Sequence, residues 1–222
     1  NRRFVAGASL ALPLVKPHLV YVTVPLLLLR AVLKRQWSLL LGLGITLLGL
    51  TLVVFLLRPA FLADYTHTVG RGNLLNWETP TLGGILAATW GWHWAKLMGI
   101  GLLPLVIFLW WRDGEHMSTR ALVNVTLLVS VITAPFGWGY DAVVLLIPLL
   151  QIIVWLAEGR FSRLEAGGLV AALLLINTIS LYQRAITVNE LYYFWLPLAI
   201  AGLYFVAQLR LRSAFSLQPS AF

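Results

Sequence analysis

Lys16-Pro17-His18 lies inside a stretch that is otherwise largely apolar from Phe4 to Leu29. A cation in hydrocarbon costs about 2.5–3.5 kcal/mol on insertion scales, so it persists where it faces protein, water or an anion. Snorkelling to the interface is the bland explanation, and about a dozen mostly apolar residues on each side make that a long reach. Lys16 and His18 are therefore candidate ligands for an anionic group. A second constellation, 134–141, ends in a carboxylate beside two aromatic rings: Trp138, Tyr140 and Asp141. Such rings pack on the apolar face of a sugar, and the acid accepts from its hydroxyls or takes a proton from an attacking one. Asp141 is on this reading a weak candidate for a catalytic base. A Pro-Gly turn whose aromatics anchor at the interface, with Asp141 capping the next helix, explains the same residues equally well.

Two further polar stretches stand near these. From Arg58 to Thr81 the chain carries Asp64, His67, Arg71, Asn73, Asn76 and Glu78. Arg58, His67, Arg71 and Glu78 are candidate substrate contacts, against the alternative of a solvated connector. The stretch Trp90 to Trp94, around His93, suits the headgroup region and predicts an interfacial helix. Arg184, Glu190, Tyr192 and Tyr193 read as a solvated loop.

These residues must be positioned by membrane helices. Of the 222 residues, 60% are hydrophobic and 11% charged, a composition whose solvent is mostly lipid. About 20 helical residues cross a bilayer core, and Leu39 to Leu57 supplies that length without a charge. Similar runs at Leu97 to Trp111, Ala121 to Thr133, Ala142 to Leu156, Leu169 to Leu181 and Leu191 to Ala207 bring the expected number of full spans to six. The opening segment differs, because basic residues flank both sides. Proline after Lys16 disfavours helix there, which predicts two short helices in a re-entrant pair, with one kinked helix as the alternative. The expected fold is an all-α polytopic bundle, a single transmembrane domain over 1–222 with an external loop at 58–96.

The net charge of +8 is gathered in short groups at the ends of apolar runs. It therefore points to membrane orientation, with membrane lipids and no nucleic acid as partner. A re-entrant opening puts Arg2, Arg3, Arg30, Lys34, Arg35, Arg112, Arg120, Arg160, Arg163, Arg210 and Arg212 on the cytoplasmic side. Only Arg58, Arg71, Lys96 and Arg184 remain outside, the asymmetry expected of cytoplasmic loops. Trp37, Trp110, Trp111 and Trp155 then anchor the inner interface, and Trp77, Trp90, Trp92, Trp94 and Trp138 the outer one. Without cysteine there is no thiol nucleophile, disulfide or thiolate metal site, and four scattered histidines make no ligand set, so neither cofactor nor metal is expected. Asn124-Val125-Thr126 fits a glycosylation sequon inside an expected span and carries no weight.

Three segments resemble the family 87 glycosyltransferases. Gly7 to Pro17, the aliphatic run after it and Arg30 to Trp37 are similar to that family's small-residue helix, Lys-Pro and basic exit. Asn76 to Leu86 is similar to its asparagine-led segment before a Gly-rich helix. Pro135 to Leu150 resembles its Pro-x-x-Trp turn entering an aliphatic helix with a proline, here Pro148. The resemblance implies a C-type glycosyltransferase fold and inverting transfer of a hexose, often mannose, from a polyprenyl-phosphate sugar to a lipid or glycan acceptor. It implies a bacterial plasma membrane, with the active face outside and no nucleotide-sugar site. The family's catalytic acid usually lies in a first external loop that the opening residues do not contain, so the expectation is the C-terminal part of a longer protein. Tyr140 and Asp141 stand where the family often has histidine, and Asn76-Trp77-Glu78 also departs from its pattern. A multi-span transporter or flippase of an amphiphilic anion is the alternative function, with the broken helix at Lys16 as its binding site. A polymerase or ligase of surface polysaccharide would share the lipid-linked substrate.

Overall fold

The computed structural model describes residues 2–71, 77–113, 117–187 and 189–216, and of 68–71, 113 and 212–216 the backbone alone. All regular structure among them is helical: α1 (Arg2–Ser9), α2 (Thr23–Leu33), α3 (Trp37–Leu57), α4 (Phe61–Arg71), α5 (Leu82–Trp90), α6 (Met98–Asp113), α7 (Thr119–Thr133), α8 (Leu146–Ala157), α9 (Arg163–Ile186) and α10 (Trp195–Ser216). Short 3₁₀ turns lead into several of them. Five helical stretches are long and apolar enough to cross a membrane: Trp37–Leu57, His93–Arg112, Gly139–Ala157, Arg163–Ile186 and Glu190–Leu211. The chain is an integral membrane helix bundle by that criterion. The expected span Ala121 to Thr133 is α7, 15 residues long and shorter than a full crossing requires.

α7 is nevertheless the centre of the packing. Leu128 and Val131 pack with Leu145 and Ile152 on one side and Ile200, Ala201 and Tyr204 of α10 on another. Leu122 meets Val22, Leu26 and Trp110. α3 and α9 are peripheral, with 11% and 6% of their most apolar windows buried, and present leucines and isoleucines outward. Such faces are stable only where the surroundings are apolar.

The opening segment is broken, as the Lys16-Pro17 pair predicts, instead of forming one kinked helix. α1 ends at Ser9, 3₁₀ turns follow at Pro13–Val15 and Pro17–Leu19, and Lys16 between them has φ −123° and ψ 73°. A break at membrane depth leaves backbone groups to satisfy. Val22 N–H donates to Ser130 Oγ at 3.3 Å, so a polar side chain of α7 takes one of them, and Tyr21 Oη, 2.5 Å from Thr133 Oγ1, ties the segment to the same helix. α1 lies against α3 where Gly7 and Gly42 let the two backbones meet, because a Cβ at either would overlap the facing main chain.

The stretch expected as the long loop holds the helix α4, formed over Phe61–Arg71. α5 ends at Trp90, the chain reverses at Gly91 with φ 66°, and a 3₁₀ turn at His93–Leu97 enters α6. Gly83 sits so close to Lys96 that a Cβ would approach its Cα to 2.6 Å. Trp90, Trp92 and Trp94 project outward, as do Trp37 and Trp111. Two expected interface anchors do otherwise: Trp110 is 8% exposed in the core, and Trp155 packs on Tyr204 with centroids 5.5 Å apart.

Candidate functional site

The break in the opening segment aims Lys16 and His18 at the connection between α7 and α8. Lys16 Nζ pairs with Asp141 Oδ1 across 125 residues of sequence and sits over the Tyr140 ring, 4.1 Å from its centroid. Asp141 is 3% exposed, whereas the Lys16 side chain is 40% exposed. The pair is therefore buried on its acidic side and open on its basic side. Asp141 Oδ2 accepts from Trp138 N–H at 3.0 Å and lies 3.5 Å from His18 Nε2. His18 is 9% exposed, its ring 4.4 Å from that of Phe136, and Nε2 has no hydrogen-bond partner among the described residues.

Both explanations of Asp141 hold at once. It caps the 3₁₀ turn Gly139–Leu145 through Trp138 N–H, and it anchors the lysine. A capping role alone would not require a carboxylate this buried to have a cation brought from the other end of the chain.

Aromatic rings line the cluster. Trp138 and Tyr140 lie parallel, 5.9 Å apart with 7° between planes, and Trp77 stands 5.4 Å from Trp138. Trp77 is thus part of this wall as well as a residue of the interface. Its carbonyl accepts a hydrogen bond from Lys96 Nζ, and Lys96 is 2% exposed. The sequence showed Lys96 only as one more external charge. The signal that could have found it is its place at the head of an apolar span, directly after the tryptophan-rich turn.

Glu190 and Asn189 also reach this region, although the last external stretch reads as a solvated loop. Gly139 N–H donates to Glu190 Oε2 at 2.7 Å, and Asn189 Nδ2 donates to Glu78 Oε2 at 3.0 Å. Three separate connections thereby meet on one end of the bundle. Beside Asp141 is a cavity of about 30 Å³, lined in part by Leu19, Pro80, Gly137 and Tyr193, with room for about one water. A larger cleft of about 490 Å³ adjoins it through Gly139 and Tyr193, and its walls include Tyr140, Ser180, Arg184, Thr187 and Glu190.

The structure therefore gathers Lys16, His18, Trp138, Tyr140 and Asp141 directly, and Glu78 through Asn189. Arg58 is engaged elsewhere, its Nε 2.8 Å from Asp64 Oδ2, and His67 is exposed on α4. Neither belongs to the contacts that make the cluster among the described residues. The side chain of Arg71, with Asn73 and Asn76, lies outside those residues. No three His, Asp or Glu side chains form a metal-ligand group among the described residues. Chemically, the arrangement can hold an anion at the exposed Lys16 ammonium, stack a ring on Trp138 and Tyr140, and hydrogen-bond hydroxyls in the cleft. No protein-family model, curated protein or solved structure matches the chain.

Proposed function

We propose that the chain is a membrane glycosyltransferase subunit that moves a hexose, mannose being the family's usual choice, from a polyprenyl-phosphate sugar to a lipid or glycan acceptor on the external face. The reading includes a six-span C-type fold in which α7 counts as a short span, the broken pair α1–α2 as re-entrant, and the chain as the C-terminal part of a family 87 enzyme. The observation that carries it is the Lys16–Asp141 pair: a half-open ammonium held by a buried carboxylate, next to parallel aromatic rings and between apolar helices. An amphiphile with an anionic head, a sugar and a hydrocarbon tail meets each of those features.

In the reaction the bond between C1 of the sugar and the phosphate oxygen breaks, and the phosphate leaves with the electron pair. The acceptor oxygen bonds to C1 from the opposite face, which inverts the configuration. Lys16 stabilises the charge growing on the departing phosphate. Asp141 has Oδ1 on Lys16 and Oδ2 on Trp138 N–H, so it holds the lysine in place instead of serving as the proton acceptor. Glu190, which lines the cleft, is the carboxylate with access to an acceptor hydroxyl there.

The test is transfer from a polyprenyl-phosphate hexose by the full-length protein in nanodiscs, followed by mass spectrometry of the product. Lys16→Ala is expected to lower turnover by about 100-fold or more, and unchanged turnover would remove Lys16 from the mechanism. The break between the turns at Lys16 is also what a transporter uses to bind a substrate at depth. Movement of an unaltered lipid-linked sugar across liposomes, without a covalent product, would decide for that second reading.

A further inference from the structure

A second polar cavity, of about 200 Å³, lies at the other end of the α7–α8 pair. The 15 residues of α7 separate the two ends by about 22 Å at 1.5 Å per residue. The cavity shares no lining residue with the Lys16 cluster, and the inference does not depend on the transfer reaction. Its walls include Arg120 and Asn124 of α7, Gln151 and Trp155 of α8, Arg160 and Tyr204. Gln151 is 7% exposed and lines the cavity. Asn124, 1% exposed, spends Nδ2 on Tyr204 Oη at 3.3 Å and keeps its carbonyl oxygen for another donor. Two amides between apolar helices put hydrogen-bonding groups where a polar ligand can meet them.

The charge at the mouth narrows what enters. Arg160 Nε is 2.5 Å from Glu158 Oε2, and Arg120 completes a set of two cations and one anion, leaving one positive charge. The N-terminus of α7, capped by Ser118, adds the positive end of a helix dipole. A singly charged anion balances this set, and the amides beyond it are suited to hydroxyls. The volume is that of roughly six or seven waters at about 30 Å³ each, enough for a headgroup and too small for an acyl chain. α8 exposes Leu150, Ile153 and Val154, an apolar surface for chains that stay outside.

We propose that this cavity binds a phosphodiester bearing a hydroxylated headgroup, the chemistry of a glycerophospholipid such as phosphatidylglycerol or of a soluble glycerol phosphodiester. The protein is reconstituted with equal phosphatidylglycerol and phosphatidylethanolamine, re-extracted in mild detergent, and its retained lipid counted by native mass spectrometry. The parent should retain phosphatidylglycerol selectively, and Gln151→Leu and Arg120→Gln should each lower that selectivity about tenfold, the equivalent of about 1.4 kcal/mol. Gln151→Leu preserves volume and suits its apolar helix, so a normal unfolding midpoint accompanies the loss. If no lipid is retained but soluble glycerophosphoglycerol raises the midpoint of the parent and of neither variant, the ligand comes from solution and the site stands. Equal retention of both lipids with no soluble effect, or variants that behave as the parent, overturns it.

Discussion

Lys16–Asp141 and Arg58–Asp64 are both a cation against an aspartate, yet they do different things. Arg58 and Asp64 are six residues apart, with side chains 69% and 46% exposed, so α4 and the chain entering it are enough to bring them together. Lys16 and Asp141 are 125 residues apart and meet only after α2, α7 and α8 have packed. An exposed pair contributes about 0–1 kcal/mol and salt weakens it. A carboxylate only 3% exposed depends on its partners, because losing one leaves polar groups unpaired in an apolar surrounding. The difference marks which ion pair the fold has been built around.

That contrast can be broken at its strongest point by Asp141→Leu, which leaves Trp138 N–H without an acceptor and Lys16 without its anion. A loss of about 3 kcal/mol is expected in detergent unfolding, along with transfer reduced by about 100-fold or more. Adding Lys16→Met to Asp141→Leu should restore part of the stability and none of the transfer, since the lysine no longer lacks its anion while Trp138 N–H still lacks an acceptor. If the double variant is as unstable as the single, the pair is not coupled as described. A smaller effect is expected from Trp138→Ala: removal of one ring from the parallel pair raises the apparent KM for the sugar donor by about 3- to 10-fold, with kcat less affected.

Lys96→Met sharpens the comparison from another side. The lysine is buried on one carbonyl, so exchanging it for a hydrophobe of similar length should leave stability within about 1 kcal/mol or raise it. The Trp77 fluorescence should nonetheless change, because the carbonyl that Lys96 holds belongs to that residue. An unchanged spectrum would show that the latch does not position the ring. The smallest effect is expected from Arg58→Gln, a shift of about 0.5 kcal/mol or less in the same unfolding measurement. A shift as large as that of Asp141→Leu would erase the distinction between the two pairs.

How much of this was legible in the residues differs from one to the next. Lys16-Pro17 announced both its break and its anomaly, because proline cannot continue the helix and an ammonium in hydrocarbon must find a partner. Trp138, Tyr140 and Asp141 were recognisable as either a turn or a site, and sequence spacing alone did not decide between them. Glu190 reads as part of a solvated loop, Lys96 as one more external charge, and Gln151 goes unremarked, for a common reason: each looks ordinary among its sequence neighbours, and its meaning comes from residues far along the chain. The interior place of α7 was not legible either. It has the polar content of a weaker span, yet Asn124, Thr126, Ser130 and Thr133 are polar because they face the interior of the bundle.

Composition and periodicity are properties of the chain before it folds, so the membrane class, the apolar helices and the break at Lys16 follow from them. Partnership is not such a property. Which carboxylate receives Lys16 and which rings stand beside it were settled by helix packing. Contacts across more than 100 residues depend on how α2, α7 and α8 dock, and local pattern carries no record of that docking.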